Sequence, residues 1–202
     1  MAEFGGLNGL FNNAGLGLST IREDYYARNL RFWEITDERW QAIFETNVMA
    51  AFRMAKAALP HLKEGERGRM VNVTTSLDTM IRPGWTPYGP SKAALEACSA
   101  IWAADLAELG VTVNVLVPGG PANTAMVPPA SSPDRESMVQ PGVMEAPVVW
   151  LMSDHAAGFT GKRITGIGWD AALGGRAAAE AASAPAAWPG AGQQSVWPGG
   201  LK

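Results

Sequence analysis

Tyr88 and Lys92 stand four residues apart, so on a helix they share one face. An ammonium beside a phenol favours the phenolate and lowers the phenol pKa, and a tyrosine so tuned can pass a proton at neutral pH. Taken alone, the pair reads equally well as a surface contact between two ordinary residues. Thr75 and Ser76, thirteen and twelve residues before Tyr88, carry hydroxyls that could hydrogen-bond a substrate carbonyl. Their plain alternative is to satisfy turn backbone. Asn47 is polar in an otherwise apolar helical pattern. It either faces solvent or bonds a backbone carbonyl, or it is a buried amide that must find partners, a water relay among them. His61 and His155 fall in no Cys/His/carboxylate spacing that would hold a metal, so none is expected.

These groups need a scaffold. Residues 7–11 (LNGLF) are a short apolar run entering Asn12-Asn13-Ala14-Gly15, which predicts a strand and a turn. A helix is expected from Thr36 or Asp37 through Trp40, Ile43, Phe44, Val48, Phe52 and Ala55, to be kinked or ended at Pro60. Residues 69–75 (RMVNVTT) read as a strand and 76–87, with Pro83, Gly84 and Pro87, as a loop. A second helix runs from Tyr88–Pro90 to Gly110; it is apolar nearly all round, which predicts burial on most faces. Residues 111–117 (VTVNVLV) are the clearest strand, ended by Pro118-Gly119-Gly120. A long loop over 119–143, a short helix near 145–154 and a last strand near 163–168 follow.

Strands alternating with helices imply an α/β fold. The expected form is a doubly wound, Rossmann-like parallel sheet of about four strands with helices on both faces. Ligands of such sheets sit at the carboxyl ends of the strands. The loops at 12–15, 74–76 and 118–120 all lie there. Residues 1–170 form this domain in the prediction, and 171–202, rich in Ala, Gly and Pro, form a tail with little core of its own.

The 202 residues carry a net charge of −3, which gives no support for a nucleic-acid or anionic-membrane partner. A single cysteine, Cys98, cannot form an internal disulfide. The uncharged stretches at 4–21 and 181–201 are broken by asparagine, glycine or proline and read neither as a signal nor as a span, so a cytoplasmic protein is expected.

The pieces together resemble the short-chain dehydrogenase/reductase family: Asn12-Asn13-Ala14-Gly15, Asn47 in TNVMAAFRMAKAALPHL, NVTTS at 72–76, Tyr88-Gly89-Pro90-Ser91-Lys92, NVLVPGG at 114–120 with Thr124, and WLMSDHAAGFTGKRI at 150–164. The resemblance implies interconversion of an alcohol and a carbonyl with NAD or NADP. Tyr88 would exchange the proton, Lys92 would lower its pKa and hold the nicotinamide ribose, and Asn47 would anchor a relay water. Thr75 would orient the substrate, with Ser76 as the alternative. Asn13, Ala14 and Gly15 would run beside the adenine ribose, and Pro118, Gly119 and Thr124 would flank the nicotinamide.

The family's glycine-rich turn after its first strand, which places a helix N-terminus against the pyrophosphate, has no counterpart in this sequence. Gly166-Ile167-Gly168-Trp169-Asp170-Ala171 matches the loose letter pattern but has no following βαβ unit and is rejected. Eleven residues precede Asn12, where the family would have on the order of 65. The resemblance therefore implies an N-terminally truncated reductase with weak cofactor affinity on its own. Its alternatives are a cofactor-free pseudoenzyme or dimerisation module, or a chain completed by a partner. A homo-oligomer is expected through the helices at 37–59 and 89–109. Residues 16–36 and 120–142 should line the substrate pocket. Tyr25, Tyr26, Phe32, Trp33, Trp85 and Met126 there suggest an apolar or ring-bearing alcohol or ketone, or simply aromatic core packing.

Overall fold

The computed structural model describes residues 5–65, 67–129 and 134–191. One five-stranded sheet runs in the order β1 (Gly9–Asn12), β2 (Arg69–Val73), β3 (Thr112–Val117), β4 (Lys162–Thr165), β5 (Ser183–Pro185). The first four strands are parallel and β5 is antiparallel to β4. Alternation along each strand sends Met70 and Val113 to one face and Val71 and Leu116 to the other. On the first face lie α2 (Ala50–Leu62) and α4 (Tyr88–Asp105); on the second, α5 (Glu145–Leu151) and α6 (Gly175–Ala181). The expected α/β sheet with helices on both faces is thus observed.

The helix expected from Thr36 begins there: Thr36 caps α1 (Asp37–Phe44) by accepting from the Arg39 backbone N–H. It passes through a π-helical turn at Glu45–Met49 before α2 resumes the α-helix. Asn47 sits in that turn, its side chain drawn inward. Pro60 ends the run only after a further half-turn, at Leu62.

Four expectations need correction. The sheet has five strands, not about four, because part of the predicted tail joins it. Within 171–202, α6 buries Ala178 and Ala179 completely, Ala179 in one cluster with Trp150 and Phe159, and β5 hydrogen-bonds to β4. Small alanines allow this close approach, so an alanine-rich composition marked packing rather than its absence. Residues 192–202 of that tail, Trp197 included, lie outside the described residues. The 76–87 loop contains a short helix, α3 (Leu77–Met80), packed on α4. The strand near 163–168 stops at Thr165, and Gly166–Gly168 forms a 3-10 turn. On the outer rim of α4, Ile101 is 58% exposed in the single chain.

Candidate active site

The carboxyl ends of β1, β2 and β3 open onto a cavity of about 710 Å³. The loops flagged in the sequence converge on it. Asn13 from the first, Thr74, Thr75 and Ser76 from the second, and Pro118, Gly119 and Gly120 from the third all line it, with Thr124 beyond. Asn12 ties the first loop to the sheet by donating from Nδ2 to Asn72 Oδ1 at 2.8 Å, and Asn72 Nδ2 donates to Ser99 Oγ at 2.8 Å. Gly119 takes φ +104°, and a Cβ there would lie 2.4 Å from Ile167, so this turn requires glycine.

Tyr88 opens α4 with its phenol at the cavity wall, and Lys92 follows one turn on, buried. The Tyr88 phenol is pushed up to about 12 by burial, and its hydrogen bond with the half-buried Thr75 side chain pulls the other way. The Lys92 Nζ donates to the Val73 carbonyl at 2.9 Å, and burial pushes the ammonium itself down to about 8. The Tyr88 phenol is thus raised rather than lowered from its ordinary value: desolvation dominates at both groups, and Thr75 opposes it at Tyr88.

The two candidate hydroxyls differ in what they contact. Thr75 faces Tyr88, whereas Ser76 Oγ lies 2.6 Å from Thr79 Oγ1 and hydrogen-bonds Asp78, inside the first turn of α3. Thr74 is turned away, donating to buried Glu96 at 2.6 Å. Asn47 Oδ1 accepts from the Leu16 N–H at 2.7 Å, and Nδ2 donates to Leu16 O and to Ser91 Oγ, both at 3.0 Å. Both amide protons are thus used to clasp the first loop to α4. Gly15 lies in the same cluster: a Cβ there would sit 3.2 Å from Asn47 Oδ1 and 3.3 Å from Lys92 Nζ. Ala14 is exposed and is not among the residues lining the cavity.

Tyr25, Tyr26, Trp85 and Met126 line the cavity near Tyr88. The Trp85 ring stands edge-on to Tyr25 and Tyr26, with centroids 5.8 and 5.5 Å away. Phe32 and Trp33 do not join them; each is 69% exposed and they pack on one another. Sequence reasoning missed the buried Glu96–Arg163 pair behind the site. The signal was present: Glu96 is one helical turn beyond Lys92, an acid inside an apolar helix. Among the described residues no cluster of His, Cys, Asp or Glu could hold a metal, and no helix is long and apolar enough to cross a membrane.

Lys92 also makes a stability prediction. Its folded-state pKa lies below the ordinary 10.5, so between about 8 and 10.5 the unfolded chain binds more protons than the folded one. Folded stability therefore rises with pH through that window, and the full cost of the buried charge falls below it, on the order of 3 kcal/mol. Lys92→Met is expected to raise Tm at pH 7, with the gain shrinking towards pH 10.5. Thermal melts at the two pH values check this; an equal gain at both would refute it.

Residues 1–135 match the family model described as short chain dehydrogenase. The 3-oxoacyl-(acyl-carrier-protein) reductase FabG of Escherichia coli K12 is 31% identical over 172 residues, covering 81% of this chain and 66% of the reductase. A crystal structure of a short chain dehydrogenase from Salmonella enterica serovar Typhi superposes with TM-score 0.69 at 27% identity, covering 82% of this chain and 64% of that one. A short chain dehydrogenase of Shigella flexneri complexed with NADP gives TM-score 0.69 at 26% identity, covering 82% and 65%. The chain thus spans just under two thirds of the length of the proteins it matches.

Proposed function

The chain belongs to the short-chain dehydrogenase family, and on that premise we propose that it carries the proton-transfer site of an NAD(P)-dependent oxidoreductase that interconverts an alcohol and a carbonyl. The observation that carries this reading is the meeting of Thr75, Tyr88 and Lys92 at one cavity, at the carboxyl end of a parallel sheet.

The residues present fit the nicotinamide end of such a cofactor. Lys92 uses one of its three ammonium protons on Val73 O and keeps donors for a ribose diol. Gly15 leaves the space beside Nζ that a side chain would fill. Asn13, Pro118, Gly119 and Thr124 line the same end of the cavity. When bound, a nicotinamide dinucleotide supplies or accepts the hydride at the substrate carbon. Among the described residues, no glycine-rich turn leads from a strand into a helix N-terminus for the pyrophosphate.

Thr75 holds the substrate oxygen beside Tyr88. The phenol, protonated at neutral pH, gives its proton to a carbonyl oxygen as that oxygen gains negative charge. In the reverse direction the phenolate takes the hydroxyl proton. A phenol pushed up by burial is protonated at neutral pH, which is the form the reducing direction needs. The rings of Tyr25, Tyr26 and Trp85 favour an apolar, ring-bearing ketone.

The test mixes the chain with NADH or NADPH and an aryl ketone and follows loss of reduced nicotinamide. Thr75→Val is expected to lower kcat by about 10²-fold, and Ser76→Ala to leave it within a few-fold. The reverse ranking would move the orienting role to Ser76. Absence of both nucleotide binding and turnover would favour the second reading, a pairing module. The observation behind that reading is the apolar rim of helices 37–59 and 89–109, where Trp40, Phe52 and Ile101 are 41%, 42% and 58% exposed. We propose that these helices pair two copies in either case; sedimentation as a monomer at all concentrations would overturn it.

A further inference from the structure

β2 ends at Val73, so Thr74 and Thr75 lie past the regular ladder. The Thr74 N–H still donates to the Leu116 carbonyl of β3 at 3.3 Å, and beyond that their hold on the fold comes from a buried ion pair. Glu96 Oε2, on α4, accepts from Arg163 Nη1 at 2.7 Å and from Thr74 Oγ1 at 2.6 Å. Arg163, on β4, reaches past Thr74 and donates from Nη2 to the Thr75 carbonyl oxygen. The side chains of the pair are 0% and 8% exposed. The other carboxylate oxygen, Glu96 Oε1, accepts from the Ala187 N–H at 3.1 Å. Ala187 adopts φ +61°, an uncommon conformation for alanine, so the segment after β5 is bent to make this contact. Elements far apart in sequence thus close on two residues, one of which presents its hydroxyl to Tyr88.

A buried ion pair is weak evidence for stability, because apolar residues of similar volume often serve as well. Its fork geometry is what apolar residues lack. Only a guanidinium can grip a carboxylate and a backbone carbonyl at once in fixed directions. We propose that Glu96 and Arg163 are positioning residues of the active site: together they fix the backbone at 74–75 so that the Thr75 hydroxyl meets the Tyr88 phenol. The inference rests on the reading of Thr75 and Tyr88 given above. Neither residue of the pair lines the cavity, so they act through Thr75.

The test reads Tyr88 directly. The chain contains three tyrosines, and labelling with 3-fluorotyrosine would give a fluorine resonance for each, that of Tyr88 assigned by its loss in Tyr88→Phe. Thr75→Val defines where the Tyr88 resonance moves when its partner is removed. Arg163→Lys keeps the charge opposite Glu96 but loses the fork, and it should move the resonance towards the Thr75→Val position. It should add little further movement in the double variant. Where turnover is measured, kcat should fall by roughly 10- to 100-fold with KM little changed. Should Arg163→Lys not fold, Thr74→Val removes one link to Glu96 under milder conditions, and the same displacement is expected. An unmoved Tyr88 resonance in a folded variant would overturn the positioning role. Resonance shifts without any Tyr88-dependent turnover would instead overturn the functional reading and leave the positioning intact.

Discussion

Tyr88→Phe is expected to reduce turnover by about 10²–10⁴-fold while leaving nucleotide affinity nearly unchanged. The substitution removes one oxygen and keeps the ring. The ring packs with Leu18, Tyr25 and Leu30 and lies 6.1 Å from the Trp85 ring, so its apolar contacts survive. What goes is the phenol beside Thr75 at the cavity wall, the group proposed to release and regain the proton. Stability should change little or rise, because a buried hydroxyl is removed together with its desolvation cost. Nucleotide titration and steady-state kinetics on the same preparation check both halves. Wild-type turnover in the variant would remove Tyr88 from the mechanism.

The second large effect is on stability. Arg163→Met strands Glu96, whose side chain is fully buried, with Thr74 and the Ala187 N–H as its remaining partners. Breaking a buried pair from one side typically costs about 3–5 kcal/mol, because the surviving charge stays desolvated. Chemical denaturation should show a loss of that order. Replacing both residues, Glu96→Leu with Arg163→Met, should recover much of it, since no buried charge remains. The recovered protein should still be impaired in catalysis, because the Thr75 carbonyl has lost its anchor. A double variant as unstable as the single one would show that the pair stabilises the fold by its own attraction.

Much of the fold was legible because its signals are local. The apolar run at 111–117 read as the clearest strand, and the helix start was narrowed to Thr36 or Asp37, either of which can cap it. Spacing of four put Tyr88 and Lys92 on one helical face, and the chain order of the motifs put their loops at one end of a sheet. The C-terminal region was misread because its evidence is not local. Alanines at 178 and 179 show neither period nor bulk, and the burial of Ala179 depends on a surface made by Trp150 and Phe159. The five-strand count followed from that, since β5 exists through its pairing with β4.

The sequence by itself determined the fold class, the family resemblance and the candidates for the site: Asn47, Thr75 or Ser76, Tyr88 and Lys92 are residue types whose chemistry is intrinsic and whose spacing is set by helix and strand geometry. The tertiary structure decided how these groups are set. Burial governs the proton affinities of Tyr88 and Lys92, and burial is a property of everything packed around them. Contact with Tyr88 distinguishes Thr75 from Ser76, and that depends on where α3 starts. Glu96 and Arg163 are 67 residues apart, and the ion pair behind the site forms only when α4 and β4 are packed on one sheet.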